Sequence, residues 1–314
     1  MTPAALLVTA IQVVAVVAFA PVVVGLMRQV RARLEGRAGA GIGQPWRDLR
    51  KLLRRQPTTP EGTGWAFRLA PLILMGTTLV IAAAVPLLTT APVLGPAADL
   101  LVVVGLLALG TVVLALAALD TGTAFGGMGA SREMMVLALA EPTILLGVFA
   151  LSARTGSTNL GGIVSATLDD PARLVTPASL LAAGALAVVV VAETGRLPVD
   201  NPSTHLELTM LHEAMVLEYS GTDLGLVELA SSVRLTVLLG LFASLFVPWG
   251  ISGAGLAGLP LALAALAGKV GILATALAGT EVFLAKLRMF RVPELLAGSF
   301  VLALLAVCAS FLLA

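Results

Sequence analysis

A polar segment at residues 193–223, here called the acidic segment, carries six of the 18 acidic residues, both histidines and the only tyrosine of the chain. Its carboxylates are Glu193, Asp200, Glu207, Glu213, Glu218 and Asp223. Arg196 is the one obvious cation among them. Because carboxylates close to one another raise each other's pKa values, such a cluster suits proton transfer near neutral pH. The alternative interpretation is a solvated loop with a short surface helix.

The sequence around this segment indicates a membrane protein. Hydrophobic residues make up 58% and charged residues 12% of the chain, whereas soluble domains contain about 25% charged residues. Eight apolar runs approach the roughly 20 residues that a membrane-spanning helix needs. They are 4–26, 69–89, 100–119, 134–151, 177–192, 224–249, 256–283 and 295–313. We therefore predict an all-α polytopic fold, with residues 1–314 forming a single integral membrane domain of eight transmembrane helices.

The basic residues favour one orientation of these helices. Arg154 and Arg173 fall in loops on one side, while every other Lys or Arg outside the predicted spans falls in the loops 27–68, 120–133, 193–223 and 284–294. Loops rich in Lys and Arg stay in the cytoplasm. We therefore expect a multi-pass protein of the cell membrane with both termini outside and the acidic segment facing the cytoplasm.

Five charged residues interrupt the apolar runs. They are Glu141, Glu228, Arg234, Lys269 and Glu281. Ionised groups are costly in lipid, and they usually pair or mark functional sites. Glu228 and Arg234 are too far apart to pair along one helix face, so partners on other helices are expected. These five residues form either an ion path or static salt bridges between helices. Pro142 follows Glu141, so Glu141 belongs either to a proton path or to a helix kink in which the acid is paired locally.

Two of the predicted cytoplasmic loops have distinctive patterns. Residues 46–55 place apolar side chains on one helix face and basic ones on the other, which predicts a short amphipathic helix along the membrane surface. The apolar residues are Trp46, Leu49, Leu52 and Leu53. Attraction to anionic lipid headgroups explains the basic residues equally well. The glycine-rich loop 120–133 carries Asp120, Arg132 and Glu133. We expect short, flexible backbone there, which allows either close approach by another chain or a bend into the next helix.

The sequence offers little for metal or disulfide chemistry. Cys308 is the only cysteine, which excludes an internal disulfide and an iron-sulfur cluster held by this chain alone. His205 and His212 lie about two helical turns apart, but two isolated histidines are more often structural than metal ligands. We expect no cofactor, no metal and no nucleic-acid partner for this chain.

The stretch AETGRLPVDNPSTHLELTMLHEAMVLEYSG resembles the signature of the membrane subunit shared by respiratory complex I and energy-converting hydrogenases, in the branch of formate hydrogenlyase and hydrogenase-4. The matching residues there are Glu193, Arg196, Pro198, Asp200, Glu207, Glu218 and Tyr219. Those elsewhere are Gly36, Arg37, Gln44, Pro45, Asp48, Lys51, Leu52, Ser131, Arg132, Glu141, Phe290 and Arg291. The resemblance covers nearly the whole chain.

This resemblance implies eight tilted helices that dock a soluble electron-transfer arm onto the membrane. The implied partners are hydrogenase large and small subunits, an iron-sulfur subunit and antiporter-like membrane subunits. A nickel-iron centre and iron-sulfur clusters would lie in those partners. This chain is therefore expected to be a non-catalytic subunit of a membrane oxidoreductase complex.

The resemblance and the charge pattern together select two sets of site residues. Those expected to couple redox chemistry to ion movement are Glu141, Glu193, Asp200, Glu207, Glu213, Glu218, Glu228, Lys269 and Glu281. Those expected to contact the soluble arm are Arg37, Gln44, Pro45, Asp48, Lys51, Arg132, Arg196, Tyr219 and Arg291. In this hypothesis, redox turnover changes the proton affinity of the acidic segment, and protons pass through Glu141 and Glu228 toward the antiporter-like subunits.

Some positions depart from the complex I pattern. Ser203 and His205 occupy places where complex I relatives usually have further acids, and the interval from Glu207 to Glu218 is longer, which favours the hydrogenase branch. Three alternatives stay open: a quinone oxidoreductase subunit, a passive anchor without an ion path, and a free-standing transporter. The transporter is least favoured, because the sequence contains no internal repeat or paired broken helices.

Overall fold

The computed structural model describes residues 3–200, 211–252, 258–284, 287 and 291–312. Within them the chain forms eight long helices and three short α-helices. The long ones are α1 (Pro3–Leu34), α3 (Trp65–Ala84), α4 (Leu100–Asp120), α5 (Ala124–Thr155), α7 (Pro177–Glu193), α9 (Gly221–Phe246), α10 (Leu259–Phe283) and α11 (Val292–Leu312). The short ones are α2 (Gln44–Leu52), α6 (Leu160–Asp169) and α8 (His212–Val216).

Each long helix corresponds to one predicted membrane span. Seven of them have the length and hydropathy to cross a membrane, and α7 is similarly apolar but has 17 residues. The prediction of an all-α polytopic membrane protein is confirmed. Two helices, α1 and α5, are longer than predicted, with 32 residues each.

The helices surround α9. In its most apolar stretch 67% of the residues are buried inside the protein, compared with 28% for α10 and for α11. Helix α9 packs against α1, α3, α7 and α10, whereas α11 packs against α5 and α7 at the periphery. The central helix and its neighbours therefore position the charged side chains described below.

The glycine-rich stretch 120–133 is not the flexible loop that the sequence predicts, because α5 begins at Ala124. Thr123 caps the helix by accepting a hydrogen bond from the Gly126 backbone N–H at 3.2 Å. A Cβ atom on Gly129 would lie 2.9 Å from Ala214 Cβ. Glycine is therefore needed where α8 packs closely on α5, and the close approach comes from the same chain.

Helix α2 lies against the membrane helices. It begins two residues before the predicted amphipathic helix and ends at Leu52. Its Leu49 side chain is buried, and the Trp46 indole N–H donates a hydrogen bond to the Ala18 carbonyl of α1 at 3.2 Å. Contacts with α1 and α9 hold α2 in place, so attraction to lipid headgroups is not its only anchor.

Candidate functional site

A buried ion pair joins α7 to α9. The Arg234 guanidinium donates to the Glu193 carboxylate, and the two side chains are 11% and 3% exposed. Arg234 also donates to the Thr111 hydroxyl of α4 at 2.7 Å. Three helices thus meet at one cation. The prediction that Arg234 pairs with a residue of another helix is confirmed.

A second ion pair joins the acidic segment to α10. Arg196 Nη1 lies 3.4 Å from Glu281 Oε1, and the side chains are 15% and 3% exposed. Burial lowers the pKa of the Arg196 guanidinium, and the Glu281 carboxylate opposes that shift. The Arg196 side chain is therefore bound mainly within the protein, and its contact with a partner stays a prediction.

A polar cavity of about 60 Å³ lies beside the Glu193–Arg234 pair. It is lined by Leu74, Thr111, Leu114, Glu133, Glu193, Thr194, His212, Ser231 and Arg234. A buried water needs about 10–15 Å³ and two to four polar partners, so the cavity has space and partners for several waters. Glu133 was not among the predicted site residues, because its stretch was interpreted as a loop. The helical conformation of α5 places it in this cavity wall.

A larger cavity of about 780 Å³ adjoins the small one. The first loop contributes Arg28, Arg31, Arg37, Pro45 and Asp48 to its lining. The acidic segment and the membrane helices contribute Arg196, Asp200, His212, Glu213, Glu228, Ser231 and Glu281. Thr194, His212 and Ser231 line both cavities. These three residues therefore form the partition between the large cavity and the buried ion pair.

His212 is the titratable member of this partition. Its backbone N–H donates to Asp200 Oδ2 at 3.2 Å, and its Nε2 lies 3.4 Å from the Ser231 hydroxyl. Burial lowers the pKa of the His212 imidazole, and Asp200 partly opposes this effect. A neutral imidazole at pH 7 both accepts and donates a proton. His212 was noted in the sequence but not assigned to the site, because the packing of α8 against α9 is not visible there.

On its other side Glu193 faces an apolar cleft of about 30 Å³ between α4, α5, α7 and α9. Its other lining residues are Leu100, Val103, Val104, Leu107, Ile144, Val148, Leu160, Leu186, Val189, Val190, Leu238, Leu241, Phe242 and Leu245. Glu193 is the one charged residue in this described lining. The ion pair therefore stands at the boundary between a polar and an apolar part of the bundle.

Glu141 lies in α5, about two turns beyond Glu133. Its Oε1 atom is buried, and no residue in the described part of the chain gives it a hydrogen bond. A buried carboxylate oxygen without a donor is costly unless it is protonated or hydrated. The described structure therefore shows no local partner for this oxygen, and the proton-transfer role of Glu141 stays a prediction.

Other predicted coupling residues are dispersed. Glu213 and Glu228 line the large cavity, while Glu218 is half-buried near the start of α9. Glu207, with Ser203 and His205, lies outside the described residues. Lys269 was expected to point inward and pair, but in the described part of the chain it has no ion-pair partner.

The predicted docking residues divide into exposed and buried groups. Lys51 and Arg291 are exposed, the Arg37 side chain is 68% exposed, and Asp48 lies 4.0 Å from Arg28. Gln44 donates to Asp48 at 2.9 Å, and Arg132 is half-buried. Pro45 is buried. The exposed side chains can reach a partner, although that of Arg37 is already ion-paired with Glu35. The buried residue Pro45 packs inside the chain.

Tyr219 belongs to the buried group. Its ring stacks on Phe67 with centroids 4.1 Å apart, and its hydroxyl donates to the Phe67 carbonyl at 2.8 Å. Burial raises the pKa of the Tyr219 phenol. Tyr219 is 4% exposed, and its contact with a partner stays a prediction. Tyr219 holds the acidic segment against the start of α3.

Comparison with known proteins defines the family. The sequence profile described as NADH dehydrogenase matches residues 6–312. The chain belongs to this family. It is 37% identical over 299 residues to formate hydrogenlyase subunit 4 of Escherichia coli (strain K12), covering 94% of this chain and 95% of that one. It is also 37% identical over 243 residues to hydrogenase-4 component C of the same strain, covering 76% and 74%.

A solved structure is similar over the whole fold. A chain of the membrane-bound sulfane sulfur reductase, an archaeal respiratory membrane complex, superposes with a TM-score of 0.83 at 19% identity and covers 98% of this chain and 99% of its own length. The family resemblance inferred from the acidic segment is confirmed. The chain is a multi-pass membrane protein of this family.

Proposed function

We propose that this chain is the membrane-anchoring and ion-coupling subunit of an energy-converting nickel-iron hydrogenase complex of the formate hydrogenlyase type. Its 37% identity to formate hydrogenlyase subunit 4 over 94% of the chain supports this assignment. The proposed partners are hydrogenase large and small subunits, an iron-sulfur subunit and antiporter-like membrane subunits. The nickel-iron centre and the iron-sulfur clusters belong to those partners.

One structural observation carries the coupling role. The buried Glu193–Arg234 pair stands at the inner end of connected polar cavities, with an apolar cleft beyond it. Protons from the side of the acidic segment reach the pair through hydrated space, but the cleft offers them no polar route onward. An ion that enters the polar cavities must therefore leave them in the plane of the membrane, into a neighbouring membrane subunit. This arrangement also disfavours a free-standing transporter.

The proposed route follows the residues that line the cavities. A proton enters the large cavity, passes the neutral His212 imidazole and reaches Glu133 or Glu193 in the small cavity. Glu141, two turns further along α5, is the proposed exit toward the neighbouring subunit. Charge changes in the soluble arm act on Asp200, which is buried and bonded to the His212 backbone. Through this hydrogen bond, a change of charge at Asp200 shifts His212, which belongs to the partition between the two cavities.

The docking surface is the exposed part of the first loop and of the turn before α11. Lys51, Arg291 and the Arg37 side chain are exposed there. Exposed basic residues suit a partner surface that carries carboxylates, and Arg37 also lines the large cavity. We place this surface in the cytoplasm, with both termini outside, because it carries most of the Lys and Arg residues.

The test is to replace Glu141 by Gln and Asp200 by Asn in the assembled complex. Hydrogenase activity with an artificial electron donor should stay at the wild-type level, because the metal centre is in another chain. Coupled ion movement in sealed vesicles should fall about tenfold or more, as expected when a proton-transfer group is lost. Glu61→Gln, on an exposed loop, is the matched control.

Unchanged ion coupling in both variants would exclude the relay and leave a passive anchor. In that case, alanine substitutions at Arg37 and Lys51 would still release the soluble arm.

Quinone reduction is a second candidate, and the large cavity favours it. Its volume of about 780 Å³ lies within the range of small-molecule sites, about 300–1,000 Å³. Its lining is rich in charged residues, whereas such sites are mostly apolar. Reduction of a soluble quinone by the purified complex, abolished by a bulky substitution such as Val227→Trp in the cavity wall, would favour this alternative over the hydrogenase function.

A further inference from the structure

Lys269 is a charged residue near the centre of a membrane-spanning helix. Helix α10 has 25 residues, and at 1.5 Å per residue Lys269 lies about 15 Å from its Leu259 end and about 21 Å from its Phe283 end. Lysine side chains near helix ends extend to the membrane surface, but from the centre this is not possible without deforming the bilayer. The ammonium group therefore needs a partner at its own depth.

That partner is absent from the part of this chain that the structure describes. Ion pairs are formed there by Arg196 and Arg234, but Lys269 has neither an ion pair nor a hydrogen bond. The residues one turn away on α10 are apolar: Ala265, Leu266, Ile272 and Leu273. Charged side chains within membrane helices almost always pair or face water. Within the described chain, the surroundings of Lys269 provide no charged partner.

The outward face of α10 carries exposed apolar and small residues, on which another helix can pack. Ile272 and Leu261 are 71% and 70% exposed. A Cβ atom on Gly268 or Gly279 would meet nothing within 4 Å, so packing inside this chain does not require glycine at either position. Small residues on a membrane helix allow a second helix to approach closely. Lys269 is half-buried at the edge of this face.

We propose that Lys269 forms an ion pair with a carboxylate in a transmembrane helix of another membrane subunit, which packs on the outward face of α10. Phosphate groups of lipids lie at the membrane surface and not at this depth, so the complementary charge is assigned to a protein side chain. This inference rests on the proposed function, because the partner would be a membrane subunit of the same complex.

Three substitutions in the assembled complex test the ion pair. With the complex purified through a tag on this chain, Lys269→Arg should retain the membrane subunits. Lys269→Met should lower their recovery about tenfold, equivalent to about 1.4 kcal/mol, and Lys269→Glu should lower it further. The soluble arm should remain bound in all three. Full recovery of the membrane subunits with Lys269→Glu would overturn the inference, whereas loss of the soluble arm already in the wild type would contradict the proposed function.

A second measurement begins with cross-linking in a chain that keeps Lys269, so this first step does not depend on the folding of the Lys269 variants. A photoreactive amino acid at Ile272 should cross-link to one transmembrane segment that contains an Asp or Glu. Changing that acid to Lys should restore recovery in the Lys269→Glu background. Cross-links to lipid alone, or to a segment without an acidic residue, would overturn the inference.

Discussion

The two ends of the helix bundle differ in the polarity of the side chains that line their cavities. Toward the acidic segment, ion pairs and cavities of about 60 and 780 Å³ bring charged side chains together inside the protein. Toward the opposite end, the helices close around a cleft of about 30 Å³ lined by aliphatic and aromatic residues. Glu193 touches both regions. The bundle therefore resembles half of a channel that is open on one side and closed on the other.

The difference indicates where ions would be able to move. Water and protons can enter the polar half, because the side chains that line its cavities include hydrogen-bond donors and acceptors. The apolar half has no such groups, and isolated charges in it would be costly. In the proposed function, the polar half accepts ions and a neighbouring subunit completes their passage. The following predictions change one half at a time.

The largest effect is expected from Arg234→Met, which leaves the Glu193 carboxylate buried without its cation. Breaking one partner of a buried ion pair costs about 3–5 kcal/mol. We expect a correspondingly lower free energy of unfolding and little assembled complex in the membrane. Thermal unfolding of the purified chain and its level in membranes provide the measurement.

The double variant Glu193→Gln with Arg234→Met is the matched control. Because it removes both charges, it should recover much of the lost stability while coupling stays impaired. A double variant as unstable as Arg234→Met alone would show that Arg234 acts through packing and not through its charge.

An intermediate effect is expected from Leu241→Asn, which places an amide in the apolar cleft two turns along α9 from Arg234. A polar side chain there costs about 1–3 kcal/mol and attracts water. Passive proton leak through the complex in sealed vesicles should rise, while Leu241→Met should leave it unchanged. A leak equal to wild type in the Asn variant would argue that the cleft is not the closing barrier.

The smallest effect concerns the pH dependence of stability at His212. Its pKa is lowered in the folded protein, so the unfolded chain binds more protons as the pH falls below about 6.5. Stability should therefore be highest above pH 6.5 and decrease toward lower pH, by at most about 1.4 kcal/mol per pH unit for this group. His212→Gln should flatten the curve of unfolding temperature between pH 7.5 and 5.5. An unchanged slope would mean that His212 titrates normally.

The membrane helices could be predicted from the sequence because their cause is local. Each span is a run of apolar residues long enough to cross the bilayer, and hydropathy alone identifies it. The start of α5 could not be predicted in this way. Glycine has low helix propensity, and the helix there depends on the Thr123 cap and on close packing against α8.

The site was predicted only in part, because pairing between helices is a tertiary property. The charges in the spans indicated that Arg234 has a partner, but not that the partner is Glu193. The glycine-rich sequence around Glu133 predicts a loop, and the sequence does not show that Tyr219 is stacked on Phe67. The spacing of residues in the sequence shows which side chains share a face of one helix. The Arg234–Glu193 and Tyr219–Phe67 contacts instead join residues that are 41 and 152 positions apart.

The most direct measurement of the half-channel is cysteine labelling in a Cys308→Ser background, with a water-soluble thiol reagent applied separately to each side of the membrane. The account predicts that a cysteine at Ser231 in the polar partition reacts from the cytoplasmic side only, and that a cysteine at Leu241 in the cleft reacts from neither side. Reaction at position 241, or reaction at position 231 from the outer side, would contradict it.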